Sequence, residues 1–492
     1  LSAAAADVPA APPAAAPAAP PARSGTLLHD ALVTIMSRFI LAVLILGSDV
    51  LIARVLGPTA KGRFALVLLY SQLAAVPISW GMDAALGVIT GRGRAAARQG
   101  MANAIWWALL VGGAFTVLSV VAYGSPADPG PLASVIPNLS PRQFLFGAIA
   151  LPGEVFFAVG LFGLLGRRRI VAYNLVRILR RGVMVGLVVT IAVAWTVDLD
   201  AALAANLAAL GCTALLVGWA TWRDGMLGWR PSPALLLEEL RFGTRAIVGT
   251  LAERLQFRMD AFLLNGLVGV RATGIYSVTS GIAETLWYIP NSLGTVMFSR
   301  AVDPKADAAH VASVLTRTTV AVTFALAVPA WVLGPRFVRF LYGSGFADAG
   351  VALRWIIPGI VAYSVVAVLS RYVVGRGRPG LGTLVLLAGL GTNLVANLVL
   401  IPRLGIIGAA VSSSISYTVT AALTLAAFVR ISGQGLRETL IITPRDLASL
   451  ARVARTGIAR LRGTRRGPIL GLPGGETAAE LVMDELEPGE ER

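Results

Sequence analysis

The chain has 492 residues, of which 56% are hydrophobic and only 14% charged, against about 25% charged in an average soluble protein. In water that balance would leave large exposed apolar patches, so a soluble enzyme is the wrong starting point. Lys and Arg (42) outnumber Asp and Glu (26); in so apolar a chain the surplus is read as membrane topology and surface, with no nucleic-acid partner expected.

In chain order, residues 1–26 form an Ala/Pro-rich tail with too few large apolar groups for a core and too much proline for a helix. Apolar segments of spanning length then follow one another. They predict about twelve transmembrane helices, near 27–53, 62–90, 101–123, 142–165, 170–197, 200–222, 243–268, 272–299, 309–334, 347–374, 379–401 and 405–429. The fold class is therefore an all-α membrane protein. Residues 27–222 are read as an N-lobe, 223–242 as a cytoplasmic linker, 243–430 as a C-lobe and 431–492 as a cytoplasmic tail.

With both tails counted, Lys and Arg outside the spans are about threefold more numerous on the side that holds both termini, which places both in the cytoplasm and requires an even number of crossings. Near 444–463 the tail predicts a basic amphipathic helix, with Leu447, Leu450, Ala454, Ile458 and Leu461 opposite Arg445, Arg452, Arg455 and Arg462. Such a helix suits the anionic membrane surface, or else a cytoplasmic partner. The single cysteine, Cys212, excludes an intrachain disulfide.

The chain also repeats itself. LGPTAKGRF near residue 57 returns as VGVRATGIY at an offset of 212, so Gly57 matches Gly269 and Gly62 matches Gly274; PISWG at 77–81 returns as PNSLG at 290–294. Two motifs in one order at nearly one offset predict a duplicated six-helix unit in parallel orientation, with a cavity between the halves. Pro77 and Pro290 then mark matching kinks.

With SDVLIARVLGPTAKGRFALVLL in the first half and MDAFLLNGLVGVRATGIYSVTSGIAETLWYIP in the second, the chain resembles the polysaccharide (O-antigen type) flippases of the multidrug/oligosaccharidyl-lipid/polysaccharide (MOP) exporter superfamily. The resemblance covers roughly residues 27–430 and implies two six-helix lobes in a V, alternating access, and a polyprenyl-diphosphate-linked oligosaccharide moved across the bacterial cytoplasmic (inner) membrane for cell-surface polysaccharide assembly. The lipid II flippase branch usually has two further helices, and none is expected here after residue 430. Membrane lipids and glycan assembly enzymes are the remaining expected partners.

No GxxxxGK[ST] loop or HExxH motif is present, so no cofactor, no catalytic site and no ATP-driven step on this chain are expected. Ionisable groups at membrane depth are the functional candidates. Arg38 lies about 16 Å into the first span and Arg254 about 15 Å into the seventh, with Arg258 on the same face as Arg254. These three are the expected diphosphate site, because a guanidinium keeps its charge and forks onto phosphate oxygens. The alternative pairs Arg254 and Arg258 with Glu253 and Asp260. Glu154 and Glu284, also at mid-depth, are candidates for coupling to a proton, or for pairing with a cavity arginine. Arg177, Arg180 and Arg181 share one face of the fifth span, where they either extend a basic track or snorkel to headgroups. Two other functions stay open: a drug/cation antiporter of the same superfamily, and a non-transporting scaffold for glycosyltransferases.

Overall fold

The computed structural model describes residues 24–448 apart from 195, 289, 292, 295, 296, 298–300, 302–306 and 445, with the backbone alone for 24–39, 245 and 246. Its helices follow the expected spans in order. The first and second spans run together as α1 (Ser24–Ser79), divided at Gly57, whose φ of 70° and ψ of 176° break the helix. A turn at Trp80 and Gly81 leads into α2 (Met82–Ile89). Then α3 (Arg94–Trp107) continues through a π-helical stretch, Ala108–Gly112, into α4 (Gly113–Tyr123).

The short α5 (Pro131–Val135) precedes α6 (Pro141–Gly166), whose start is fixed by a capping box between Ser140 and Gln143. The first half closes with α7 (Ile170–Ala194) and α8 (Leu199–Arg223). The second half contains α9 (Pro233–Leu267), α10 (Val270–Thr285), α11 (Ala308–Tyr342), α12 (Ala347–Gly375), α13 (Pro379–Leu404), α14 (Ile406–Ser432) and α15 (Leu436–Leu440).

Eight of the described stretches are both long and apolar enough to cross a membrane. The shortfall from twelve has physical causes. One of the eight, Ile40–Ser79, joins two expected spans through Gly57. Charges keep α7 and α9 out of the set: Arg177, Arg180 and Arg181 in the one, Glu253, Arg254, Arg258 and Asp260 in the other. As described, α10 has 16 residues.

The stretch expected as a linker at 223–242 is helical from Pro233, because Ser232 caps the helix by accepting from the Leu235 amide and proline suits the first turn. The expected tail helix lies outside the described residues beyond 448, as does the Ala/Pro-rich stretch up to 23.

Each half packs its own core. Tyr123 stacks on Phe144 at 4.0 Å in the first half, and Phe257, Trp287, Tyr363 and Tyr417 form an aromatic cluster in the second. The halves meet where the repeat predicts identical residues. Gly57 and Gly269 both have positive φ. Just beyond them Gly62 lies against the Val270 carbonyl and the Gly274 amide, while Gly274 lies against the Pro58 carbonyl and the Gly62 amide. A Cβ at either position would collide with backbone, so only glycine permits this crossing. Residues 58 and 270 are themselves 212 apart, so the contact maps onto itself under the repeat. At the same end Asn138 Nδ2 donates to Asn265 Oδ1 at 3.1 Å, and Asn265 Nδ2 donates to the Pro137 carbonyl at 2.8 Å.

At the opposite end the leading turns of α9 lie on the first half. Gly81 packs against Gly243, Trp80 Nε1 donates to Thr244 Oγ1 at 3.0 Å, and Asn103 clamps the helix start. The Asn103 amide accepts from the Ser232 N–H at 2.8 Å and donates to Glu239 Oε2 at 2.9 Å.

Candidate functional site

Between the halves lies a cavity walled by both parts of α1 and by α7, α9, α10 and α11. Its empty space is about 1030 Å³, counting the part open to solvent. Five ionisable side chains of opposite sign line it: Asp49, Lys61, Arg181, Arg258 and Glu284. Their pairing decides what the cavity can attract.

Lys61 pairs with Asp49 across the Gly57 break, and Tyr342 Oη donates to the other Asp49 oxygen at 3.2 Å. Arg258 grips Glu284 at two points, 2.6 and 2.9 Å. Beside the cavity, Arg180 forks onto Glu154, Nη1 to Oε2 being 3.0 Å, and lies 4.6 Å over the Phe157 ring. Arg181 has no carboxylate within ion-pair distance among the described residues. It is half-buried in the wall, and the pairs around it cancel, so it leaves the cavity with a surplus positive charge.

The expected site residues are thus dispersed. Arg258 and Glu284 face the cavity together, and Glu154 stands behind it on α6. Arg254 is exposed and is not in the cavity wall. The side chain of Arg38 lies outside the described residues, although its backbone belongs to α1. Arg177, Arg180 and Arg181 line inward space instead of reaching out to headgroups. Their i, i+3, i+4 spacing was the available signal; that α6 would present Glu154 to them was not.

Asp260 also departs from the expected pairing. It is fully buried, and neutral groups surround it: Tyr276 Oη donates at 2.7 Å, Asn397 Nδ2 at 3.0 Å, and Ser413 Oγ as well. Removing the carboxylate strands three donors at once. Asp260→Ala is therefore expected to destabilise the protein by about 3 kcal/mol, and Asp260→Asn by less, read as melting midpoints in detergent. A midpoint for Asp260→Ala equal to that of the unmodified protein would show that the network carries no stability.

At the α9 clamp, ahead of the expected span at 243–268, burial pushes the Glu239 carboxyl up to about 7, the Asn103 hydrogen bond offsetting this only in part. Its Oε1 is buried without a partner. Because docking raises this pKa above that of the free carboxyl, acid favours the docked helix. The stability is full below the ordinary carboxyl range, falls as pH rises through about 7, and is level above it. Once the intrinsic base catalysis of exchange is divided out, the protection of residues 233–242 should accordingly fall between pH 5 and 7, and Glu239→Gln should remove that fall. An unchanged pH profile in the glutamine variant would exclude Glu239 as its origin.

Comparison with known proteins places this architecture. The polysaccharide biosynthesis protein family matches residues 51–350. The chain belongs to that family. Among curated relatives, this family member is 27% identical over 185 residues to the probable low-salt glycan biosynthesis flippase Agl15 of Haloferax volcanii, covering 34% of this chain and 39% of that protein. It is 25% identical over 193 residues to an uncharacterized membrane protein of Methanocaldococcus jannaschii, covering 38% of each. The match therefore spans well under half the length of these relatives.

Among solved structures, the lipid II flippase MurJ in an inward closed conformation superposes with a TM-score of 0.66 at 12% identity, over 92% of this chain and 96% of that one. An inward-facing multidrug resistance MATE transporter of the MOP superfamily gives 0.61 at 16% identity, over 80% and 94%. At such identity the likeness shows the fold alone. Family and fold bear out the resemblance read from the two repeated motifs and establish a multi-pass, all-α membrane protein of polysaccharide biosynthesis.

Proposed function

We propose that this protein moves a lipid-linked oligosaccharide across the cytoplasmic membrane by alternating access, with both termini cytoplasmic and the lipid tail left in the bilayer. The observation that carries the reading is Arg181, a guanidinium with no carboxylate partner among the described residues, in a cavity whose other charges pair. In a low dielectric an unpaired cation attracts an anion far more strongly than it would in water. A diphosphate satisfies it with a fork, and a second phosphate oxygen competes with Glu284 for Arg258. Release of Glu284 would free that carboxylate to take a proton, linking arrival of the anion to a proton step. The contact at Gly62 and Gly274 is the gate on the outer side, and the α9 clamp holds one flank of the inner side. The repeat-related halves, the family, and the flippase named among the relatives support this reading.

The antiporter alternative requires a cavity that welcomes cations, and a surplus guanidinium repels them. Reconstitution tests both. Liposomes containing the protein and a fluorescent polyprenyl-diphosphate sugar are followed by an impermeant quencher, in parallel with uptake of an organic cation under a proton gradient. Protein-dependent movement of the lipid supports the flippase. Movement of the cation alone would overturn it.

A further inference from the structure

A second cavity opens within the first half and shares Ile45, Gln72, Arg181 and Met184 with the central one. Its remaining walls bring Arg177 and Arg180 from α7, Phe157 from α6 and Asn206 from α8. The charges do not balance. Glu154 is taken up by Arg180, and neither Arg177 nor Arg181 has a carboxylate within ion-pair distance among the described residues. Among the described residues Arg177 meets the Tyr173 hydroxyl at 3.5 Å, has the ring of that residue beneath it and lies within electrostatic range of Tyr288. If the diphosphate takes Arg181, the annexe keeps one more unmatched cation.

The neutral groups identify the rest of the ligand. Gln72 is exposed at the junction of the two cavities, and Asn206 lies deeper; no partner stands within hydrogen-bond distance of either amide among the described residues. Phosphate oxygens only accept hydrogen bonds, so an amide oxygen is wasted on them. Sugar hydroxyls donate and accept, and each carboxamide offers both an acceptor and two donors. Phe157 lines the same space, with Arg180 over its ring.

We propose that this annexe is a sugar subsite, and that the sugar it takes, next to the diphosphate, carries an acidic group such as a carboxylate. Arg177 recognises that group, while Gln72 and Asn206 read the hydroxyls. The proposal rests on the flippase reading above and narrows its substrate to an acidic glycan.

The test measures binding to the full chain in nanodiscs with three short-chain probes: farnesyl diphosphate, farnesyl-diphosphate-glucose and farnesyl-diphosphate-glucuronic acid. The glucuronic acid probe is expected to bind about tenfold more tightly than the glucose probe, the worth of one charge-assisted hydrogen bond. Arg177→Gln should bring that ratio close to one. Gln72→Ala should weaken both sugar probes relative to bare farnesyl diphosphate, and it carries the test if melting shows that Arg177→Gln does not fold. Equal binding of the acidic and neutral sugars by the unmodified protein would overturn the acidic subsite while leaving the flippase reading intact. Failure of all three probes to bind would overturn both.

Discussion

Arg181→Ala is expected to reduce lipid movement in liposomes by about a hundredfold or more while the melting midpoint stays close to that of the unmodified protein. Two charge-assisted hydrogen bonds to a phosphate are worth about 3–6 kcal/mol together, and each 1.4 kcal/mol is a factor of ten. The fold should tolerate the change because no carboxylate among the described residues pairs with Arg181. The neighbouring pairs behave differently. Arg180→Ala strands Glu154 and Arg258→Ala strands Glu284, so both should melt earlier as well as transport less. Arg181→Lys retains the charge and loses the fork, and an intermediate rate is expected. Unimpaired transport by Arg181→Ala would remove this residue from the site.

The second large effect concerns the seam between the halves. Gly62→Leu should prevent closure at the end of the bundle that carries the Gly57 and Gly269 turns. The obstacle is the backbone of Val270 and Gly274, which cannot swing aside as a side chain can. An overpacking penalty of about 3 kcal/mol shifts the ratio of two states by roughly a hundredfold. The assay replaces the exposed Cys212 with serine, places a cysteine at Ser280 in the cavity wall, and adds an impermeant maleimide from that side. Labelling should be slow with Gly62 and fast with leucine. Gly274→Leu should act alike, since the contact is reciprocal. Equal labelling rates would mean that the seam is not what closes the cavity.

How far such features were legible depended on whether their cause was local. The paired junctions at Gly57 and Gly269 could be read because a backbone conformation restricts residue type, and glycine returned at the same offset. The early start of α9 was also written locally, in Ser232 and Pro233, but Glu238, Glu239 and Arg241 made the segment look like a polar linker. Arg177, Arg180 and Arg181 were placed on one helix face correctly. Which way that face pointed depended on α6, and no spacing within α7 contains that information. Asp260 is the clearest case. Its nearest charges in the chain are arginines, yet its partners Asn397 and Ser413 come from helices more than a hundred residues away.

The continuity of α9 has a mechanical consequence. A flexible linker would let the two halves separate freely at both flanks, whereas this one is a helix without interruption from Pro233 to Leu267, clamped to the first half at Asn103 and Trp80 and seated in the second through Asp260. In the proposed transport cycle it would act as a door post: a stiff upright on one jamb about which the mouth at the clamped end pivots while the far side swings wide. Cargo tethered to the bilayer by a long tail would then be admitted sideways along the free jamb, without the tail ever leaving the lipid.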